Sequence, residues 1–327
     1  MSNPIRVLHV STGFYGGEKT HIQHLSEINA SNVQTSIMSP GSRSTQYNLW
    51  PHGIWRLFKH IREYSPMLIH CHGLRALIAM SMITLISNHT PPIVYTVHGF
   101  HSYWQKKSLK RSVRLILDRL LKRIKSATIV LSQSDYNAAL NTKIDKKEHI
   151  IKISNGVNIS VPNSEPINLD QIQYNQSHHR LFVTVGRLTE IKGVSLIIDT
   201  LSAMDQAQRQ QIKWIIIGDG PLYSTYKRDI KERQLTDCLY LLGHQDHVCS
   251  WLQHCDIYIS ASKWEGCPYS ILEAMSCAKP IIAANVPGCQ DLIESGKNGE
   301  LFKWSDINDF KDTIISAINY SDEWHRY

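Results

Sequence analysis

The 327-residue sequence has no C-x-x-C pair, no apolar run long enough to cross a bilayer and no complete G-x-G-x-x-G fingerprint. Each absence removes a class of protein. Seven cysteines, odd in number and scattered, suit reduced thiols rather than a disulfide frame or a cysteine zinc site. The longest uncharged apolar run, residues 76–87, falls well short of the ~18 to 20 residues a spanning helix needs. No basic, apolar, small-residue series precedes the first strand, so neither a signal peptide nor a membrane anchor is expected. The expected location is cytoplasmic, with peripheral attachment to the inner face of the cell membrane as the membrane option. Without the glycine fingerprint, a nucleotide-dependent oxidoreductase is disfavoured.

What is present is an ordinary globular composition, 42% hydrophobic and 19% charged, in a chain long enough for two domains. The net charge of +7 is uneven. Residues 1–160 carry 20 Lys and Arg against 7 Asp and Glu, a net of +13; the remainder carries 15 against 21, a net of −6. The first half therefore calls for an anionic partner, nucleic acid or an anionic membrane surface. No basic patch interleaved with aromatics supports nucleic acid.

Along the first half, Ile5–Val10 reads as a strand, residues 11–17 as a Gly-rich turn, and Ile22, Leu25 and Ile28 as a helix face. Strands are expected at Val33–Ser39, Met67–Cys71, Ile93–Val97 and Thr128–Leu131, with helices at Ile54–Tyr64, Leu74–Ile86 and Leu109–Lys125 between them. Such alternation makes a parallel sheet. His98-Gly99-Phe100-His101 follows the Ile93–Val97 strand, and strand ends are where open α/β sheets hold ligands. On position alone, His98 reads first as a structural histidine. Within Leu109–Lys125, Leu109, Val113, Ile116, Leu117, Leu120 and Ile124 form one stripe suited to the core, leaving a basic face that includes Lys106, Lys107, Lys110, Arg111 and Arg114.

The Pro- and Asn-containing residues 159–179 read as a linker between domains 1–158 and 180–327. A second α/β series then begins. Leu181–Val185 ends in Gly186-Arg187-Leu188, with Lys192-Gly193 ahead of the next helix. Two cations at a strand-to-helix turn suit a diphosphate, although such a turn is also common as a solvated loop. Lys213–Ile217 ends in Gly218-Asp219-Gly220-Pro221, and Leu239–Leu242 is a further strand. His244, His247 and His254 raise a metal reading, but no carboxylate or cysteine pair completes a site, so structural or surface roles are expected.

The most informative stretch is residues 256–280, a strand–loop–helix–strand unit. Pro268 suits the first turn of its helix. Glu265 in the loop and Glu273 in the helix are eight positions apart, placing Glu273 about 7 to 8 Å along the axis. A diphosphate on the helix start would have a carboxylate on either side. Alone, such a pair reads first as two solvated glutamates flanking an ordinary turn.

The segment EGCPYSILEAMSCAKPII resembles the E-x7-E signature of retaining family-4 glycosyltransferases. The Gly13–Gly17 turn resembles their Gly-Gly loop, Gly186–Gly193 their donor-phosphate motif, and Gly218–Pro221 their loop beside the base. The resemblance implies the GT-B fold, an α/β architecture of two Rossmann-like, doubly wound parallel-sheet domains facing across a cleft. It implies transfer of a hexosyl or N-acetylhexosaminyl group from a nucleotide-sugar donor, a UDP-sugar by preference, to an acceptor hydroxyl. Configuration would be retained, and the acceptor would be a lipid-linked or soluble glycan of surface-polysaccharide biosynthesis.

Carried over residue by residue, the resemblance makes His98 a contact of the donor sugar and Glu265 the second group orienting it. Gly16 and Gly17 would lie near donor phosphate and acceptor. Arg187, Lys192 and the helix start formed by Gly266, Cys267, Pro268, Tyr269 and Ser270 would bind the diphosphate. Gly218 would lie beside the base, and Glu273 would bind the ribose. No cofactor and no metal are expected. Asp291 stands where relatives carry Glu and receives no role, and the tail at 321–327 is short against a family crossover helix. An anionic membrane surface meeting Lys106–Lys125 would present a lipid-linked acceptor. A GT-B sugar-nucleotide epimerase shares fold and donor, and a basic binding protein is the non-catalytic alternative.

Overall fold

The computed structural model describes residues 4–13, 16–27, 32–38, 52–87, 89–100, 108–158, 167 and 169–319. The chain divides into two compact units, Met1–Asn155 and Gly156–Tyr327. Each is built on a six-stranded, wholly parallel sheet. This is the α/β architecture expected from the regular alternation of apolar runs and helical patterns.

In the first unit the chain runs β1 (Ile5–Ser11), α1 (Gly16–Glu27), β2 (Val33–Met38), α2 (His52–Tyr64), β3 (Leu68–His72), α3 (Gly73–Ile86) and β4 (Ile93–Val97). It continues with α4 (Leu109–Leu120), β5 (Ala127–Val130), α5 (Gln133–Thr142) and β6 (Ile150–Lys152). The sheet order is β2-β1-β3-β4-β5-β6, so the winding direction reverses between β1 and β3. His9 lies beside His70, and Ser11 beside His72, at that reversal.

The second unit runs β7 (Arg180–Val185), α6 (Val194–Ser202), α7 (Gln206–Arg209), β8 (Ile212–Ile217), α8 (Tyr223–Glu232) and β9 (Leu239–Gly243). Then come α9 (Val248–His254), β10 (Ile257–Ser260), α10 (Tyr269–Ser276), β11 (Ile281–Ala284), β12 (Gly299–Phe302) and α11 (Ile307–Asn319). Its order is β12-β11-β10-β7-β8-β9, with the reversal between β10 and β7. Strand β8, IKWIII, is buried at every position, as a parallel strand covered on both faces must be. Trp214 on this strand packs edge-on against Phe182 and Phe310, and its indole N–H donates to Thr184 Oγ1 at 3.0 Å. Ile172, inside the expected linker, is buried in this core, whereas residues 159–166 and 168 lie outside the described residues.

One expectation fails. The apolar stripe of α4 does not enter the core: Leu109 is 81% exposed, Leu120 67% and Ile116 52%, and Val113 and Leu117 are exposed as well. Asp118 is the buried residue of this helix. Polar anchors set the helix rotation. Asp118 lies among Lys125, Arg114 and the Tyr95 phenol, and Arg119 Nε donates to the Thr142 carbonyl at 2.6 Å. Ile124 alone of the expected stripe packs against the core, beside Leu115 and Leu121. Lys106 and Lys107 lie outside the described residues, as does the 321–327 tail. Among the described residues no helix is long and apolar enough to cross a membrane.

Candidate functional site

In an open α/β sheet, ligands collect at the carboxyl ends of the strands where the winding reverses. The second unit's share of the sequence-predicted donor residues follows the ends of β7, β8 and β10 around that point. Residues from the ends of β7, β8 and β10 line a crevice there, among them Gly186, Leu188, Lys192, Tyr258, Ser260 and Ser262.

Glycine makes the loops around this crevice fit. Gly193, at φ +66°, separates a single 3-10 turn, Glu190–Lys192, from α6. A Cβ on Gly193 would collide with the Ala261 carbonyl at the exit of β10. Gly218, at φ +141°, presses in the same way on the Gly186 carbonyl. Any other residue would meet both a disfavoured backbone and a steric clash. Two backbone hydrogen bonds, Leu188 N–H to Asp219 O at 3.0 Å and Leu222 N–H to Leu188 O at 3.2 Å, then tie these loops together.

Lys192 passes its stem over Gly186, so close that a Cβ there would stand 3.2 Å from Lys192 Cδ and Cε. Its ammonium ends 2.5 Å from Glu265 Oε1, with the two side chains 24% and 14% exposed. The structure thus joins a residue expected on the phosphates to one expected on the sugar. Arg187 is exposed on the intervening turn.

Helix α10 begins at Tyr269. Pro268, expected inside the first turn, is instead its N-cap at φ −71°, ψ 120°, because a cap residue keeps extended backbone while its carbonyl accepts the first helical bond, here from Leu272 N–H at 3.3 Å. Glu273 is half-buried one turn on. Gly266, Cys267 and Tyr269 are buried, and Ser270 hydrogen-bonds the buried Tyr258 phenol. Gly288 also matters here: at φ +84° its missing Cβ lets the turn lie on the Glu265 and Gly266 carbonyls, while Glu265 N–H donates to Pro287 O at 3.1 Å.

The reversal point of the first unit is lined differently. Gly16, at φ +60°, opens α1, and Gly17 beside it is exposed. Glu18 accepts from Ser11 Oγ at 2.5 Å, and burial pushes its carboxyl up to about 7 against the opposing effect of that bond. Five imidazoles follow. His9 Nδ1 lies 3.0 Å from His72 Nε2, and His72 Nδ1 lies 3.0 Å from His98 Nε2. His70 Nε2 meets Thr96 Oγ1 at 2.7 Å, and His21 Nδ1 meets Asn155 Oδ1 at 2.9 Å. Burial, reinforced by neighbouring imidazoles, lowers His9 to about 4 and holds His70 and His72 well below the ordinary histidine value. Burial also lowers His21.

Of these rings the sequence singled out His98 alone, with His101 outside the described residues. The available signal was the pair His70-x-His72, which alternation places on one face of β3. His254 and His244 take structural and surface positions, as expected. His254 Nδ1 turns to the Ser250 carbonyl at 2.8 Å, and exposed His244 sits 3.4 Å from Asp246. Metal-capable groupings among the described residues fall instead on the first unit's histidines.

Two doubly wound parallel-sheet units are the architecture of the GT-B class. The model of glycosyl transferases group 1 matches residues 168–327, and that of glycosyltransferase family 4 matches residues 8–161. The chain belongs to this glycosyltransferase family. It is 28% identical over 232 residues to an uncharacterized glycosyltransferase of Methanocaldococcus jannaschii, covering 70% of this chain but 59% of that protein. It is 25% identical over 268 residues to a UDP-Gal:alpha-D-GlcNAc-diphosphoundecaprenol alpha-1,3-galactosyltransferase of Escherichia coli, covering 80% and 69%. Among solved structures it is similar to HepE of Anabaena in complex with UDP and glucose, with a TM-score of 0.80 at 19% identity over 98% of this chain and 92% of that one. Sucrose-phosphate synthase from Thermosynechococcus elongatus shares the fold with a TM-score of 0.81 at 16% identity, covering 98% and 91%.

Proposed function

We propose that the protein transfers a sugar from a UDP-sugar to a hydroxyl of a lipid-linked glycan, with retained anomeric configuration, in surface-polysaccharide synthesis. The observation that carries the donor half is the Lys192–Glu265 pair at the strand ends of the second unit, beside the start of α10. As the anomeric carbon loses its bond to phosphate, positive charge grows on the sugar and negative charge on the departing diphosphate. Groups fixed where those charges develop contribute most.

An ammonium has three N–H donors, so Lys192 can keep Glu265 and still donate to a phosphate oxygen. In this reading Glu265 is held in place by that lysine and orients the sugar. Arg187 and the amides of the helix start meet the remaining phosphate charge, which leaves no step that requires magnesium. Glu273 takes the ribose hydroxyls, and Gly218 lets its loop lie against the base. Named relatives support the donor and acceptor classes: one acts on a diphosphoundecaprenol-linked sugar with UDP-Gal, and HepE is solved with UDP.

The acceptor half rests on α4. An exposed stripe of Leu109, Val113, Ile116 and Leu120, flanked by exposed Lys110, Arg114, Arg119, Lys122 and Arg123, is the pattern of a helix lying in a membrane interface. It would attach the protein peripherally to anionic lipid. The sequence reading had the basic face meeting lipid; with the stripe exposed, apolar and basic residues meet it together.

The testing experiment is a nucleotide-sugar screen by thermal stabilisation, followed by assay with and without a diphospholipid-linked acceptor. A UDP-sugar at 100 times its Kd should add ~2.7 kcal/mol. Turnover without acceptor would favour an epimerase instead, and stabilisation by no nucleotide sugar would overturn the proposal.

A further inference from the structure

The geometry points to a binding site for one divalent transition-metal ion of the zinc type on His21, His72 and His98 of the first unit. Ring nitrogens of these three residues all lie within 4.8 Å of one another. Parallel pairing fixes two of them, because His72 ends β3 and His98 follows β4 on the neighbouring strand. The third comes from α1.

The 3.0 Å between His72 Nδ1 and His98 Nε2 is within a few tenths of the ~3.3 Å that separates two nitrogens bound tetrahedrally to zinc. A small rotation of either ring closes that difference.

The outer nitrogens carry the argument further. A metal-binding imidazole is normally held by a hydrogen bond from its other nitrogen, which fixes the tautomer. Asn155 Oδ1 is an acceptor, so His21 Nδ1 carries the proton and Nε2 keeps its lone pair. His72 Nε2 faces His9 Nδ1 at 3.0 Å. With that proton donated to His9, His72 Nδ1 presents a lone pair toward His98. Two of the three ligands therefore have their supporting partners in place, and all three bind as neutral rings with no net proton released.

The donor set selects the ion. Three imidazoles without a carboxylate do not suit magnesium or calcium, which take oxygen ligands. They suit zinc, cobalt, nickel or copper, and three protein ligands leave a fourth position for water or a substrate oxygen. A second grouping, His9, His70 and His72, is fully buried, and Thr96 already occupies His70 Nε2. The outer triad, in which His21 and His98 are only half-buried, is the accessible one. The site shares His98 with the donor reading above, whereas His21 and His72 carry no role in that reading.

The test uses the full chain, dialysed against a chelator and titrated with zinc chloride by calorimetry and with cobalt chloride by visible absorption. One ion per chain and the intense absorption of tetrahedral cobalt are expected. His21→Gln and His98→Gln should each weaken binding at least tenfold. Asn155→Ala, which removes only a supporting partner, should weaken it by roughly 10- to 100-fold. A variant with His244, His247 and His254 all changed to Ala should bind as wild type does, since those rings lie elsewhere. Circular dichroism checks that each variant is folded. Unchanged affinity in folded His21→Gln, loss of binding in the triple variant, or no binding by wild type would each overturn the site. In the last case the rings would share protons along an imidazole chain and nothing more.

Discussion

The two units place their sites at the same topological position but build them from different materials. At the β7/β10 reversal the walls are backbone: glycines at Gly193, Gly218 and Gly288 let loops touch, and a single ion pair supplies the charge. At the β1/β3 reversal the walls are side chains, five imidazoles and a carboxyl held near neutrality by burial. The second unit can receive a large anion on fixed dipoles and one lysine. The first is a largely desolvated surface rich in ring nitrogens, suited to hydroxyls or to a soft cation. Fold topology therefore determines where chemistry occurs, and local sequence determines which chemistry.

The largest effect that would test this contrast is on turnover. Lys192→Ala should lower kcat by ~10²-fold or more, the usual cost of losing one fixed charge-stabilising donor, with the far-UV spectrum and Tm little changed. Arg187→Ala, more exposed, should cost less. A Lys192→Ala enzyme within a few-fold of wild type would remove the second unit's ion pair from the chemistry.

Next in size is a stability effect confined to the backbone-built site. Gly218→Ala adds a left-handed-side strain and a clash with the Gly186 carbonyl, and should cost about 2 kcal/mol or more by chemical denaturation. Gly73→Ala is the comparison: its φ of +76° carries strain, but no atom lies within 4 Å of the added Cβ, so ~1 kcal/mol is expected. Equal losses at the two positions would show that close approach contributes nothing beyond backbone preference.

This difference also explains what could be read in advance. Gly186–Gly193 and Glu265–Glu273 are short, contiguous motifs whose residues meet because they are near in sequence, and the Lys192–Glu265 contact follows once both loops end neighbouring strands. The histidine cluster draws on β1, α1, β3 and the end of β4, separated by tens of residues, so no local period announces it. Periodicity revealed the stripe on α4 without its direction. Whether Leu109 or Asp118 faces the core was settled by Lys125, Tyr95 and Thr142, none of them near in the helical pattern.

The pH response sharpens the comparison from the other side. Glu18, raised by burial to about 7 from an unfolded value near 4.5, is protonated in the folded chain where the unfolded chain has lost the proton. Its contribution is fully present below pH ~4.5 and is lost as pH rises through about 7. Glu18→Gln keeps the neutral shape and removes the titration. Between pH 5 and 8, wild type should therefore lose ~2 kcal/mol relative to Glu18→Gln, read as diverging Tm values. Parallel Tm curves would place that carboxyl in an ordinary solvated setting.

The smallest single-site effect concerns α4, where exposed apolar residues and exposed cations stand together. Such a stripe is costly to leave in water and useful at a lipid surface, where a buried leucine side chain is worth ~1.5 to 3 kcal/mol and each nearby cation ~1 kcal/mol. Leu120→Ser should reduce sedimentation with anionic vesicles roughly tenfold at any salt concentration. Lys122→Glu should reduce it by a few-fold at low salt and little at high salt, because surface charge is screened over about a Debye length. The two dependences separate insertion from electrostatic adsorption. If Leu120→Ser sediments like wild type while Lys122→Glu does not, the basic face alone meets lipid. If neither changes and neutral vesicles bind equally well, α4 is no membrane surface and the glycan acceptor is soluble.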